Sequence, residues 1–251
     1  MQKLLIIPQN WLGDIVMSQT LLKRVKLENP DTKIDILVNS TFKSLVERMP
    51  EINKAIIFDC KHKELGFSKR LSLAKKIKGN YDQSIVLSRS IKSALIPYLA
   101  RIPIRTGELG ESRYILINDL RKFTKDNRRK TAFRYASMFT KKEEVLDEKY
   151  YPSLKSDPKN IKILSDKYKL DLKKKIIIFA PGAAFGPSKM WPVEKFKELG
   201  EKLNKDFFIL ILGSKSEKKI GDQIVTNKNI INLCGETSIT DAVDLMHVSE
   251  F

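Results

Sequence analysis

The amino-acid sequence predicts an α/β fold carried by parallel sheets in two successive units. Short β-branched runs alternate with amphipathic stretches of helical period, the pattern of βα units. The alternation weakens over residues 111–149 and passes into a connecting stretch rich in lysine and proline. It restarts at Lys175, which divides the chain into a first domain over 1–150, a link over 151–174 and a second domain over 175–251.

In the first domain, Lys3 to Pro8 reads as a buried strand and Ile15 to Asn29 as a helix that Pro30 ends. KIDILV (33–38) is a second strand, and Ser40 is placed to cap a helix over TFKSLVERM. AIIFD (55–59) and QSIVLS (83–88) supply further strands, with a basic helix around Leu71–Ile77 between them. IKSALIPYLAR (91–101) is helical, with Pro97 expected to kink it. In the second domain, strands are expected at 175–180, 207–213 and 230–235, and helices at 192–204 and 217–225. A third helix begins at Ser238, with Asp241 completing a capping-box pattern. Three strands make a small unit for this architecture, which usually has about five or six, so the second sheet is expected to be incomplete.

Hydrophobic content of 42% fits a folded chain, whereas 47 Lys and Arg against 30 Asp and Glu leave a net charge of +17. Anionic partners suit that field, although much of the excess lies on lysine-rich helices where a solvated surface explains it. Two cysteines, Cys60 and Cys234, make no disulfide framework and fit a reduced, cytosolic setting. Cys60-Lys61-His62 has no companion ligands except the distant His247, so no metal site is expected. No leader and no membrane span are expected from the apolar runs. The run Asn127-Arg128-Arg129-Lys130 with Phe133, Arg134 and Tyr135 mixes charge and aromatics, but it reads better as a solvated helix face than as a nucleic-acid patch.

Two loops could carry chemistry. After the first strand, QNWLGD runs straight into a helix; Gly13 allows a tight turn and Asp14 sits where the helix dipole favours a carboxylate. Spacing alone leaves Asp14 open between a site carboxylate and a helix cap. The second loop, APGAAFGPSKMWP, follows a strand with small residues that let backbone amides approach a ligand, and Lys189 adds a positive charge beside a helix start. It suits a phosphate, although a plain turn with an exposed lysine has the same pattern. It is not a Walker loop, nor is the first loop a GxGxxG fingerprint. Trp191, Phe196 and Leu199 read as core.

At these residues the chain resembles the lipopolysaccharide heptosyltransferase family, and the type II branch in particular. KLLIIPQNWLGDIVMSQTL is similar to the family's opening signature, followed by LVERMPEIN. SIKSALIPYLARIPIRTGELGESRYILINDLR, PGAAFGPSKMWP, LGS and LCGETSITDAVDL then follow in family order over most of the chain.

The resemblance implies a GT-B architecture, two Rossmann-like domains facing across a cleft, with the second incomplete. It implies inverting transfer of L-glycero-D-manno-heptose from ADP-heptose to the first heptose of the Kdo-lipid A inner core, without a cofactor. Asp14 matches the family's general base and Lys189 its donor-phosphate lysine; Gly13, Gly182, Thr237 and His247 are the remaining donor-side candidates. Lys92, Arg105 and Arg113 are the acceptor-side candidates. The expected setting is the anionic cytoplasmic face of the inner membrane. A truncated remnant that binds glycolipid or nucleotide without turnover is the alternative.

The chain departs from the family pattern at several points. Glu108-Leu109 replaces Trp-Arg, Ala184 replaces Glu, Met190 replaces Arg, and Ser88-Arg89 replaces Pro-Asn. After DAVDL the family continues through a strand into an Asn-Asp-Ser-Gly-Leu-Met-His loop. Here Leu245-Met246-His247 follows the helix directly, so His247 is either a relic of that loop or a chance likeness.

Overall fold

The computed structural model describes residues 1–60, 64–123, 130–140, 150–170, 174–183 and 187–251. The chain forms two compact units, Met1–Lys155 and Ser156–Phe251.

The first unit holds a six-stranded sheet: β1 (Lys3–Ile7), β2 (Lys33–Val38), β3 (Ile52–Ile57), β4 (Gln83–Val86), β5 (Ile104–Glu108) and β6 (Asp119–Arg121). Their order is β3-β2-β1-β4-β5-β6, and every pair is parallel. Leu4 to Ile7 are all buried because helices cover both faces, as parallel sheets require. Helices α1 (Leu12–Glu28) and α2 (Lys43–Val46) are followed by α3 (Phe67–Ile77) and α4 (Ile91–Leu99). Ala74 and Ile77 of α3, with Ala94 and Ile96 of α4, pack on Leu5, Ile7 and Val86. Alternation along β1 sends Leu4 and Ile6 to the opposite face. A further helix, α5 (Thr131–Ala136), packs along α1, where the Thr20 hydroxyl donates to Ala132 O at 3.0 Å.

Several expectations need correction. Ser40 does not cap a helix; it opens a 3₁₀ turn, and its N–H and hydroxyl both donate to Asp59 Oδ1, at 2.8 and 3.0 Å. Strands β5 and β6 were not foreseen, because polar pairs hold them. Thr106 Oγ1 accepts from Gln83 at 2.8 Å and donates to Asp119 at 2.7 Å, deep in the sheet. The expected solvated face around Arg134 is instead a packed helix, with Phe133, Tyr135 and Ala136 buried. Residues 127–129 of that basic run, and His62, lie outside the described residues.

The second unit begins with α6 (Pro158–Tyr168), so the stretch expected to link the domains contributes a helix to this unit. Its sheet is β7 (Lys175–Phe179), β8 (Phe207–Ile211) and β9 (Ile230–Asn232), again parallel throughout. Helices α7 (Val193–Leu203) and α8 (Lys218–Ile224) pack on one face of the sheet, and α6 with α9 (Ile239–His247) on the other. The capping box at Ser238 and Asp241 forms as the sequence predicts. Phe196 and Leu199 pack against the core, but Trp191 does not join them: it is 47% exposed and meets the Phe196 ring edge-on at 5.0 Å. After α9, Ser249 bridges Ile176, and Phe251 O accepts from Ile178 N at 2.8 Å. This segment lies on the edge of β7 away from β8, the relation that β4 bears to β1 in the first unit.

Candidate active site

Because all six strands of the first unit run parallel, the loops leaving their carboxyl ends gather on one edge. The strand order reverses between β1 and β4, and in open α/β sheets that switch point opens a ligand crevice. A cavity of about 430 Å³ lies on this edge, with Pro8, Asn10, Asn39, Phe58, Ser88 and Lys92 in its wall. A polar depression of about 350 Å³ lined by Lys3, Lys33, Asp35 and Tyr81 lies at the opposite edge, where strands begin and this topology builds no crevice.

Asp14 is the third residue of α1, on the loop leaving β1. The cap position belongs to Trp11, with no side-chain capping bond, so Asp14 does not cap the helix. Its Oδ1 accepts from the Tyr135 hydroxyl at 2.7 Å, and that hydroxyl accepts from Gln9 Nε2 at 3.1 Å. Burial, then the hydrogen bond to Asp14, push the Tyr135 hydroxyl well above its ordinary pKa, so it stays protonated. Gly13 has open space around its α-carbon.

The three cationic candidates fare differently. Lys92 lines the cavity, its Nζ 3.4 Å from Glu64 O. Arg113 is 2% exposed and donates to Glu108 O, Ser88 O and Ser90 O at 2.7, 2.6 and 3.0 Å, so it ties the end of β5 to the end of β4. Burial lowers its pKa and Glu108 partly restores it. Arg105 donates to Leu116 O at 2.8 Å and Ile102 O at 2.7 Å, towards the start of β5 rather than the cavity. Both arginines thus brace the backbone: carbonyls engage Nε and both Nη atoms of Arg113, and Nε and Nη1 of Arg105. Arg70, which the sequence did not single out, braces the cavity wall in the same way: it donates to Leu65 O and Lys92 O and lies over the Phe58 ring.

In the second unit the strand carboxyl ends again share an edge. Gly182 follows β7, and its α-carbon faces the Glu217 carboxylate so closely that a Cβ would overlap it. Glu217 in turn accepts from the Ser214 hydroxyl at 2.8 Å in the loop after β8. Thr237 lies between Gly235, whose φ of +77° favours glycine, and the capped start of α9. Lys189 is exposed, in a 3₁₀ turn over Pro187–Lys189; Ala184 lies outside the described residues. His247 does not share this edge. It ends α9, and the chain next pairs Ser249 with Ile176 near the start of β7, so His247 lies at the amino-terminal edge of the sheet. It belongs to a continuous helix, and the likeness to the family's loop is a matter of sequence only. Among the described residues no group of three His, Cys, Asp or Glu side chains is placed to hold a metal.

Sequence reasoning missed Gln9, Tyr135 and Glu217. A signal for Tyr135 was present: Phe133 with Ala136, and Tyr135 with Met138, recur at three-residue spacing, which marks a buried helix face.

Two parallel-sheet units of this kind place the protein in the GT-B class of glycosyltransferases, enzymes that move sugars. The chain belongs to glycosyltransferase family 9 (heptosyltransferase), whose description it matches over residues 70–251. It is 34% identical to the lipooligosaccharide heptosyltransferase 2 of Haemophilus influenzae, over 97% of this chain and 74% of that protein. The lipopolysaccharide heptosyltransferase 2 of Salmonella typhimurium is also 34% identical, with the same coverage of each. Among solved structures, the E. coli ADP-heptose LPS heptosyltransferase II superposes with a TM-score of 0.83 at 30% identity, over 99% of this chain and 77% of that one.

Proposed function

We propose that the protein transfers L-glycero-D-manno-heptose from ADP-heptose to the first heptose of the Kdo-lipid A inner core, with inversion at the anomeric carbon. The observation that carries this reading is the Asp14 carboxylate, held by Tyr135 at the carboxyl edge of the first sheet, in a chain similar to heptosyltransferases of type II. Asp14 takes the proton of the acceptor hydroxyl as that oxygen attacks the anomeric carbon. The bond from that carbon to the donor phosphate breaks, and its electron pair leaves with ADP. Lys189 balances the charge that develops on the departing diphosphate. Gly182 and Thr237 line the donor side, where their backbone can approach a phosphate closely. Gly13, in the first turn of α1 with open space around it, leaves room for the acceptor beside Asp14, and Lys92 meets the anionic acceptor from the cavity wall.

The acceptor is an anionic glycolipid, and the net charge of +17 draws the protein to the inner face of the inner membrane as a peripheral enzyme. No helix among the described residues is long and apolar enough to cross a membrane.

The test is transfer of heptose to heptosyl-Kdo-lipid A, followed by ADP release. Asp14→Asn should retain ADP binding and lose turnover by a factor on the order of 10² or more. Full turnover in that variant would remove the general-base assignment. Saturable ADP binding by the unaltered chain with no transfer would instead favour a binding protein without catalysis.

A further inference from the structure

Asp14 is the acceptor end of a hydrogen-bond chain whose direction is fixed by chemistry. An ionised carboxylate only accepts, and a phenol has a single proton to give. With that O–H donated in a hydrogen bond to Asp14 Oδ1 at 2.7 Å, the phenol oxygen can only accept, so Gln9 must present its amide N–H, as it does at 3.1 Å. Tyr135 itself has no freedom to turn away: the ring is fully buried on α5 against α1. Burying a hydroxyl is costly unless it is paired, and a phenylalanine would fill the same space without that cost. The hydroxyl therefore has a role beyond packing. Among the described residues no side chain bonds Asp14 Oδ2, so one carboxylate oxygen is held and the other is presented.

We infer that Tyr135 is a positioning residue for glycosyl transfer: aimed by Gln9, its hydroxyl fixes Asp14 Oδ1 and directs Oδ2 at the acceptor hydroxyl. This rests on the reading of Asp14 as general base. The acceptor proton passes to Oδ2 as the new carbon–oxygen bond forms and the bond to the ADP phosphate breaks. Tyr135 keeps its own proton throughout. A carboxylate free to rotate would spend less time in the reactive geometry, and misplacement of a catalytic group by about 1 Å can cost on the order of 10²-fold in rate.

The experiment is a kinetic cycle on the full chain with Tyr135→Phe, Gln9→Ala and the double variant, with Asp14→Asn assayed alongside. Tyr135→Phe should lower kcat about tenfold and leave KM for ADP-heptose and acceptor within about twofold, the signature of an interaction that matters in the transition state. Gln9→Ala should lower kcat less, and adding it to Tyr135→Phe should cost nothing more, because Gln9 acts only through the missing hydroxyl. A Tyr135→Phe enzyme with unchanged kcat, or equal losses from Gln9→Ala with and without the hydroxyl, overturns the inference. If Tyr135→Phe does not fold, Gln9→Ala alone decides, and unchanged kcat there overturns it too. Asp14→Asn separates the two levels: full turnover removes the base and this inference together, whereas loss of turnover with an unaffected Tyr135→Phe removes this inference alone.

Discussion

Glu108, at the end of β5, and Arg134, on α5, face each other at 3.5 Å with side chains only 5% and 12% exposed. The Glu108 carboxylate thus turns inward, onto the helix that carries Tyr135. Removing the carboxylate of a nearly buried pair is costly, because the remaining guanidinium loses its facing charge. Glu108→Ala should destabilise the first unit by about 3 kcal/mol, read from urea unfolding. A loss within a few tenths of a kcal/mol would mean that the pair is solvated and does not anchor α5.

Asp244 has the same standing in the second unit. It is fully buried on α9 and accepts from Asp157 N at 2.7 Å and Asn160 Nδ2 at 2.8 Å, which pins the start of α6. Asp244→Ala would take the side-chain acceptor from the half-buried Asp157 N–H, at a cost of about 1 kcal/mol, while Asn160 Nδ2 keeps its bond to Asp241 Oδ1 at 2.8 Å. The expected result is early proteolysis or hydrogen exchange across α6. Wild-type protection of α6 would show that the Asp157 N–H finds another acceptor readily.

Much of this fold was legible because burial leaves a plain mark on sequence. β1, β2, β7 and β8 are near-continuous apolar runs, as strands covered on both faces must be. β5 escaped notice because IRTGE satisfies its interior by hydrogen bonds rather than apolar contacts, with Thr106 joined to Gln83 and Asp119. Asp14 and Lys189 could be singled out as candidates because loop chemistry is local. The hydroxyl that holds Asp14 could not, since it lies 121 positions away and only the packing of α5 on α1 brings it there. The sequence left His247 open between a loop relic and a chance likeness, and the structure places it at the end of the helix Ile239–His247.

Two tyrosines set the alkaline limit of the fold. Burial raises the pKa of both Tyr81 and Tyr135, helped by hydrogen bonds to Asp35 and Asp14 respectively. Each binds its proton more tightly folded than unfolded, so the stability this provides is complete below the unfolded tyrosine value of about 10. It is lost as pH rises through that value towards the folded one, at up to about 1.4 kcal/mol per pH unit for each group. Urea midpoints at about pH 8.5, 9.5 and 10.5 should therefore fall, and less steeply in Tyr81→Phe/Tyr135→Phe. Equal slopes in the two proteins would mean that both phenols ionise without unfolding.

Gly182 gives the sharpest test of the donor side, because its demand is steric. A Cβ there overlaps the Glu217 carboxylate, which also closes the capping box on Ser214. Gly182→Ala must turn Glu217 away, at a cost of about 1 kcal/mol for the cap, and must disturb the edge where β7 and β8 end. Lys189→Ala removes charge from the same β7–α7 connection without a steric demand, since Lys189 is exposed. Both variants should weaken ADP binding by about tenfold in calorimetric titration, the scale of one charged hydrogen bond. Only Gly182→Ala should also lower the unfolding midpoint. If Gly182→Ala alone binds ADP normally, the glycine serves the packing of Glu217; if Lys189→Ala does, the donor diphosphate lies elsewhere on this edge.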